Sequence, residues 1–153
     1  MHTVAGYLDA LCDCFILYRV GRYDIKGKQY LKTGEKYYIA DIGLRYYLLG
    51  PQKADMSRAL ENVVYLELLR RGYEVWIGKV GNAEVDFVAT NENGSEYYQV
   101  SLTVRDENTL SRELASLNSI ADHSPKFLLT LDDDPMASHN GIRQLNALDW
   151  LLG

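Results

Sequence analysis

The chain has 153 residues, 47% of them hydrophobic and 24% charged, a balance that excludes a disordered polypeptide and suffices for one moderate core or two small ones. No run approaches the roughly 20 consecutive apolar residues of a membrane-spanning helix, and the N-terminus carries no basic region with an apolar signal segment, so a cytoplasmic protein with no membrane partner is expected. The net charge of −5 is uneven: residues 1–50 hold seven Lys/Arg against five Asp/Glu, and residues 51–153 hold nine against sixteen.

Thr3 can cap a short helix in which Val4, Tyr7, Leu8 and Leu11 recur at helical spacing and form one apolar face. Cys12 and Cys14 are too close for a relaxed disulfide and have no other cysteine to pair with, so they read as reduced, part-buried thiols, with a metal half-site as the alternative. Residues 15–22 are β-rich, Gly27 marks a turn, and residues 30–40 return as a tyrosine-rich strand. A helix followed by a two-stranded ribbon is the tail of a winged-helix pattern. Arg19, Arg22, Lys26, Lys28, Lys32 and Lys36 gather on this ribbon against Asp24 and Glu35. Such a strip can track phosphates, because neutralising them releases counterions, and Arg19, Arg22, Lys26, Lys28 and Lys32 are the candidate DNA contacts. A solvated hairpin with ordinary surface cations is the competing reading, and the acidic remainder argues against DNA binding over the whole surface.

Asp41 can cap a helix through Leu49 that Gly50 and Pro51 close. Residues 50–55 therefore form the best boundary, dividing a partial winged-helix-like segment, 1–52, from a second unit, 53–153. In that unit Asp55 or Ser57 starts a helix that Gly72 stops, with Leu60, Val63, Val64 and Leu68 on a wide apolar face. Strand-like runs follow at 73–80, 84–90 and 96–104, and the last two are joined by Asn91-Glu92-Asn93-Gly94, a hairpin signal because Asn and Gly tolerate positive φ. Asp106 can cap a helix to about residue 121, residues 126–131 form a short apolar strand, and residues 142–152 a closing strand and helix. This order suits an α/β mixed sheet flanked by helices.

Metal-dependent phosphodiester hydrolysis needs carboxylates converging on a divalent ion and a group such as lysine to orient water and steady the developing charge. Glu61 lies on a helix, Asp86 in the second strand of the meander and Gln99 in the third. Alternation puts Glu84 and Asp86 on one face with Val85 and Phe87 on the other, and Gln99 and Ser101 opposite Tyr98 and Val100, so the hairpin can set Asp86 beside Gln99. Read singly, Glu61 suits a solvated helical acid, Asp86 an edge-strand charge and Gln99 a partner for backbone groups.

Together, ALENVVYLEL at 59–68, EVDFV at 84–88 and YQVS at 98–101 resemble the PD-(D/E)XK, restriction-endonuclease-like nuclease superfamily. More narrowly they resemble the domain of unknown function that follows the ATPase module in a family of bacterial and archaeal AAA+ ATPases. YLDAL at 7–11 and KYYIADIGLR at 36–45 are similar to the winged-helix remnant before that domain, and LNALDWLL at 145–152 to its closing segment. The resemblance implies Glu61 as the helical acid, Asp86 as the acid of the second motif and Gln99 at the first position of the third. Glu61, Asp86 and Gln99 would then be the Mg²⁺ ligands, since a Gln carbonyl oxygen still ligates the ion. Ser101 stands where the motif has lysine, which bears directly on turnover, and Lys79 or Arg105 would be the candidates to reach in instead.

Other candidates are weaker. His2, His123 and His139 lack partners at metal spacing. Asp132-Asp133-Asp134 before Pro135 lacks the ligand spacing of an EF-hand loop and reads as a solvated turn. The pairs Tyr37-Tyr38, Tyr46-Tyr47 and Tyr97-Tyr98 each offer one ring to the core and one to solvent, where a base could stack. No P-loop is present, so an ATPase module would lie upstream. Three functions stay open: the C-terminal fragment of such an ATPase, whose nuclease-like domain binds DNA or a protein with activity lost or reduced; an active Mg²⁺-dependent DNA nuclease; and a purely protein-binding assembly or sensor module.

Overall fold

Short polar residues cap the helices, and of Asp55 and Ser57 it is Asp55 that does so. In a computed structural model that describes residues 3–50, 55–133 and 137–153, the Thr3 hydroxyl accepts from the Gly6 N–H at 3.3 Å, the Asp41 carboxylate from Gly43 at 2.7 Å, Asp55 from Ser57 at 3.0 Å and Asp106 from Thr109 at 3.0 Å. Each satisfies an N–H that the first helical turn leaves without an intrahelical partner. His2, Pro51, Asp134 and Pro135 lie outside the described residues.

The elements in chain order are α1 (Val4–Asp13), β1 (Leu17–Asp24), β2 (Gln29–Ile39), α2 (Ile42–Leu49), α3 (Met56–Arg70), β3 (Glu74–Val80), β4 (Ala83–Asn91), β5 (Gly94–Val100), α4 (Glu107–Asn118), β6 (Lys126–Thr130), β7 (Ala137–His139), β8 (Ile142–Asn146) and α5 (Ala147–Leu152). The described strands form one mixed sheet in the order β2-β1-β3-β4-β5-β6-β8-β7. Strands β1 and β3 pair in parallel, Arg22 beside Ile77 and Asp24 beside Lys79, so the N-terminal hairpin and the second unit share one sheet. The β4–β5 hairpin turns through Glu92 and Asn93, with the Asn93 N–H on the Asn91 side chain at 2.8 Å and Gly94 at φ 127°. Strand β5 ends at Val100, short of the expected residue 104, and α4 ends at Asn118.

Helices cover both faces. On the first, Leu60, Val64 and Leu68 of α3 and Ala147 of α5 pack on Ile77, Phe87 and Tyr98. On the second, Leu117 of α4 packs on Val85, Val88 and Tyr97. Removing a side chain such as Phe87, Leu68 or Leu117 from water contributes about 1.5–3 kcal/mol. The double cover corrects one expectation: Tyr97 and Tyr98 are both buried, at 4% and 3% exposure, so neither ring is free to stack on a base.

A bulge changes the alternation read for β4. Trp76 pairs with Val88 but Gly78 pairs with Val85, leaving Asp86 and Phe87 opposite Ile77 alone. Val85 consequently packs on the second face and Phe87 on the first, although their spacing would put both on one side.

Candidate functional site

Strand β2 reaches the site because α3 holds it there. The buried Asn62 amide accepts from the Ile39 N–H and donates to the Ile39 carbonyl, both at 2.9 Å, replacing ladder bonds that an edge strand lacks. Leaving such a buried pair open would cost about 1–3 kcal/mol per group. Tyr38 stacks on Tyr65 of α3 with centroids 4.4 Å apart. In this register the Tyr38 hydroxyl donates to Glu61 Oε1 at 2.6 Å, and Lys36 Nζ lies 3.3 Å from the same oxygen. Lys36 Nζ is also 2.7 Å from Glu84 Oε1, and Glu84 is ion-paired to Arg22 as well.

The bulge sends the Asp86 carboxylate to the point where β4 and β5 part. Its Oδ2 accepts from the Val100 N–H at 2.8 Å. The Asp86 N–H donates to Gln99 Oε1 at 3.3 Å, which also accepts from the Ser116 hydroxyl at 3.2 Å, while Gln99 Nε2 donates to Glu113 at 2.9 Å. Asp86 and Gln99 are therefore neighbours, but the contact runs through the Asp86 backbone, and the carboxylate turns to the Val100 N–H instead of the Gln99 side chain. Glu61 approaches from the α3 face and Gln99 is held on the α4 face, with Asp86 between them.

The electrostatics follow from this enclosure. Desolvation, then the nearby charge of Glu61, pushes the Asp86 carboxyl up to about 7, with Glu113 adding to the shift and the Val100 N–H and Lys36 opposing it. Burial alone would depress the Lys36 ammonium, but its bond to Glu84 and the charges of Glu61, Glu84 and Asp86 outweigh that and hold it above its ordinary value. Burial would raise the Glu84 carboxyl, yet Lys36 and Arg22 hold it below the usual range. The Tyr38 phenol is raised by burial and by the Glu61 charge, so it stays a donor.

The expected basic substitutes do not fill the lysine position. Ser101 donates to the Thr103 carbonyl at 3.1 Å in a local turn. Lys79 is exposed on β3, and Arg105 lies 3.5 Å from Asp132. Lys36, read in the sequence only as part of the ribbon, is the cation beside Glu61, Glu84 and Asp86; nothing in its spacing marks it, because the contact depends on the register of an edge strand. Glu113 and Ser116 were likewise hidden in the polar face of α4.

With Lys36 in place, the donor set is not gathered around a Mg²⁺ position. Among the described residues no three His, Cys, Asp or Glu side chains gather as metal ligands. Glu61 Oε1 is occupied by Lys36 and Tyr38, Asp86 Oδ2 by Val100, and Gln99 Oε1 by two donors. The buried side-chain nitrogen or oxygen without a partner among the described residues is Arg45 Nη1, a donor, so no buried carboxylate oxygen there stands orphaned for an ion.

The hairpin cations divide into two groups. Arg19 pairs with Asp9 and Glu35, and Arg22 with Glu84 and the Gly34 carbonyl. Lys26, Lys28 and Lys32 are exposed. Tyr30 lies near them, 61% exposed, its ring centroid 4.4 Å from that of Trp76. The triple-aspartate turn is structural where it is described: Asp132 is buried and accepts from the Val104 N–H at 2.8 Å. Cys12 and Cys14 are free thiols, and among the described residues no helix is long and apolar enough to cross a membrane.

Residues 1–55 match the model of a domain of unknown function, DUF8612. The chain is 42% identical over 151 residues to an uncharacterised protein of Haemophilus influenzae, covering 99% of this chain and 37% of that protein. It is 31% identical over 109 residues to an uncharacterised protein of Methanocaldococcus jannaschii, covering 69% of this chain and 24% of that protein. The chain thus spans well under half the length of these curated relatives. No solved structure matches it.

Proposed function

We propose that the chain is the C-terminal part of an AAA+-type ATPase, in which a partial winged helix and a restriction-endonuclease-like domain bind DNA, with nuclease activity lost or strongly reduced. The observation that carries this reading is the arrangement around Asp86. Glu61 and Gln99 flank it from opposite faces of the sheet, and the residue after Val100 is a serine bonded to its own turn. Such a site lacks both a converged ligand set and the motif lysine, the two components that phosphodiester hydrolysis requires. DNA contact is assigned to Lys26, Lys28 and Lys32, because Arg19 and Arg22 are committed to carboxylates within the fold.

Two measurements test it. In a plasmid-nicking assay with Mg²⁺ or Mn²⁺, the protein and its Asp86→Ala variant should be equally inactive; nicking that disappears in the variant establishes the active-nuclease alternative. Binding to duplex DNA, followed by fluorescence anisotropy over a salt series, should weaken when Lys26, Lys28 and Lys32 are changed to Ala. The log–log salt slope should fall by about 1 for each lysine that meets a phosphate. Binding that ignores salt rules out the ribbon.

A protein-binding role is favoured by one separate feature. Helices α1 and α2 have no buried residue, and Val4, Phe15, Tyr47 and Leu48 are 77%, 77%, 86% and 67% exposed. An apolar surface of this kind suits burial against another polypeptide.

A further inference from the structure

We propose that Lys36 is the resident cation of the carboxylate cluster: tethered on β2, its ammonium balances Glu61 and Glu84 beside Asp86 and closes the cluster to divalent metal. The nuclease-like reading enters only in naming where a metal would be sought, and the ion pairing stands without it. Lys36 Nζ is 3.3 Å from Glu61 and 2.7 Å from Glu84, so oxygens from two different elements already converge on one cationic point. The carboxylates that would otherwise repel one another are thereby held together by a group of the chain itself.

Three structural features make this a built arrangement and not a passing surface contact. Asn62 fixes the Ile39 backbone, Tyr38 stacks on Tyr65, and the Tyr38 hydroxyl shares Glu61 Oε1 with Lys36. Together they set the register of β2 to within one residue, and a slip of one residue would turn Lys36 to the other face. Arg22 holds the second acid, Glu84, so that its oxygen meets Lys36. A lysine is a compact point charge that three acceptors can share, which suits it to this position better than a planar guanidinium. A divalent ion would have to displace the ammonium and then collect ligands from two faces of the sheet. The consequence is that the cluster needs no metal to be charge-balanced, and that removing Lys36 leaves Glu61 beside Asp86 without a cation, while Arg22 stays on Glu84.

The test is Mn²⁺ binding to the full chain, followed by calorimetry and by the paramagnetic resonance signal of free Mn²⁺. The unaltered protein should bind none at millimolar Mn²⁺. Lys36→Met should gain one site per chain, lost again when Asp86→Asn is added, whereas Lys36→Arg, which keeps a cation, should gain none. A Mn²⁺ site in the unaltered protein that vanishes in Asp86→Asn overturns the proposal, as does a folded Lys36→Met protein without a site. Should Lys36→Met fail to fold, acetylation of the unaltered protein decides. Lys36 should react more slowly than Lys26, Lys28 and Lys32, at a rate indifferent to Mn²⁺, and acceleration by Mn²⁺ shows that metal displaces the ammonium and sinks the idea. DNA binding by the same variants reports separately on the nuclease-like reading, whose failure would leave the metal result intact.

Discussion

At the scale of single residues, Asp86 and Glu67 show how placement sets the behaviour of an acid. Glu67 is held down to about 2, first by its bond to Arg70, with Arg71 adding and burial opposing. Asp86 is pushed up to about 7 from 3.8 by desolvation and by Glu61. Between those two values the folded chain holds a proton on Asp86 that the unfolded chain releases. This contribution to stability is therefore complete below pH 3.8 and is lost as pH rises through about 7. Asp86→Asn keeps an oxygen for the Val100 N–H and removes the charge, so it should stabilise the protein at pH 8 by about 1–3 kcal/mol and flatten the slope across that window. Urea unfolding at pH 5 and pH 8 measures both, and a variant that loses more stability at pH 8 than at pH 5 contradicts the assignment.

At the scale of elements, the bulge in β4 and the register of β2 decide the site. Next to the bulge, Gly78 pairs with Val85 at a position that has no room for a side chain. A Cβ at Gly78 would stand 2.9 Å from Val88 Cγ2, 3.0 Å from Ile25 Cδ1 and 3.1 Å from Val85 Cβ. Gly78→Ala should therefore destabilise the fold by about 1–3 kcal/mol through overpacking, and an unchanged urea midpoint would show that the strand slides freely. Helix α3 and the hairpin of β4 and β5 were legible in the sequence, because caps, an apolar face and an Asn-Gly turn are local signals. The bulge was not, since a two-residue alternation contains no trace of an insertion that only the partner strand reveals. The exposure of the apolar face of α1 was not legible for a related reason: periodicity finds an apolar face but does not say what covers it.

At the scale of the molecule, the parallel pairing of β1 with β3 makes the N-terminal hairpin part of the main sheet. Tyr38 and Val20 belong to the same apolar cluster as Phe87 and Leu129. With the core shared in this way, calorimetry on the full chain should give one unfolding transition, with the van't Hoff and calorimetric enthalpies equal. Two resolved transitions would mean that residues 1–50 fold as a separate unit. The shared sheet also links the proposed DNA-binding lysines to the carboxylate cluster, since Lys26, Lys28 and Lys32 belong to the same hairpin as Lys36.

The sequence by itself determined the helix starts at Thr3, Asp41 and Asp106 and the turn at Asn91 to Gly94, because each depends on residues close in the chain. Only the tertiary structure decided that Glu61 meets Lys36, that Gln99 is bound to Glu113 and Ser116, and that Glu61 and Gln99 flank Asp86 from opposite faces. Those contacts join strands and helices whose register is set by packing on both sides of the sheet, and packing is a property of the whole core that no local spacing encodes.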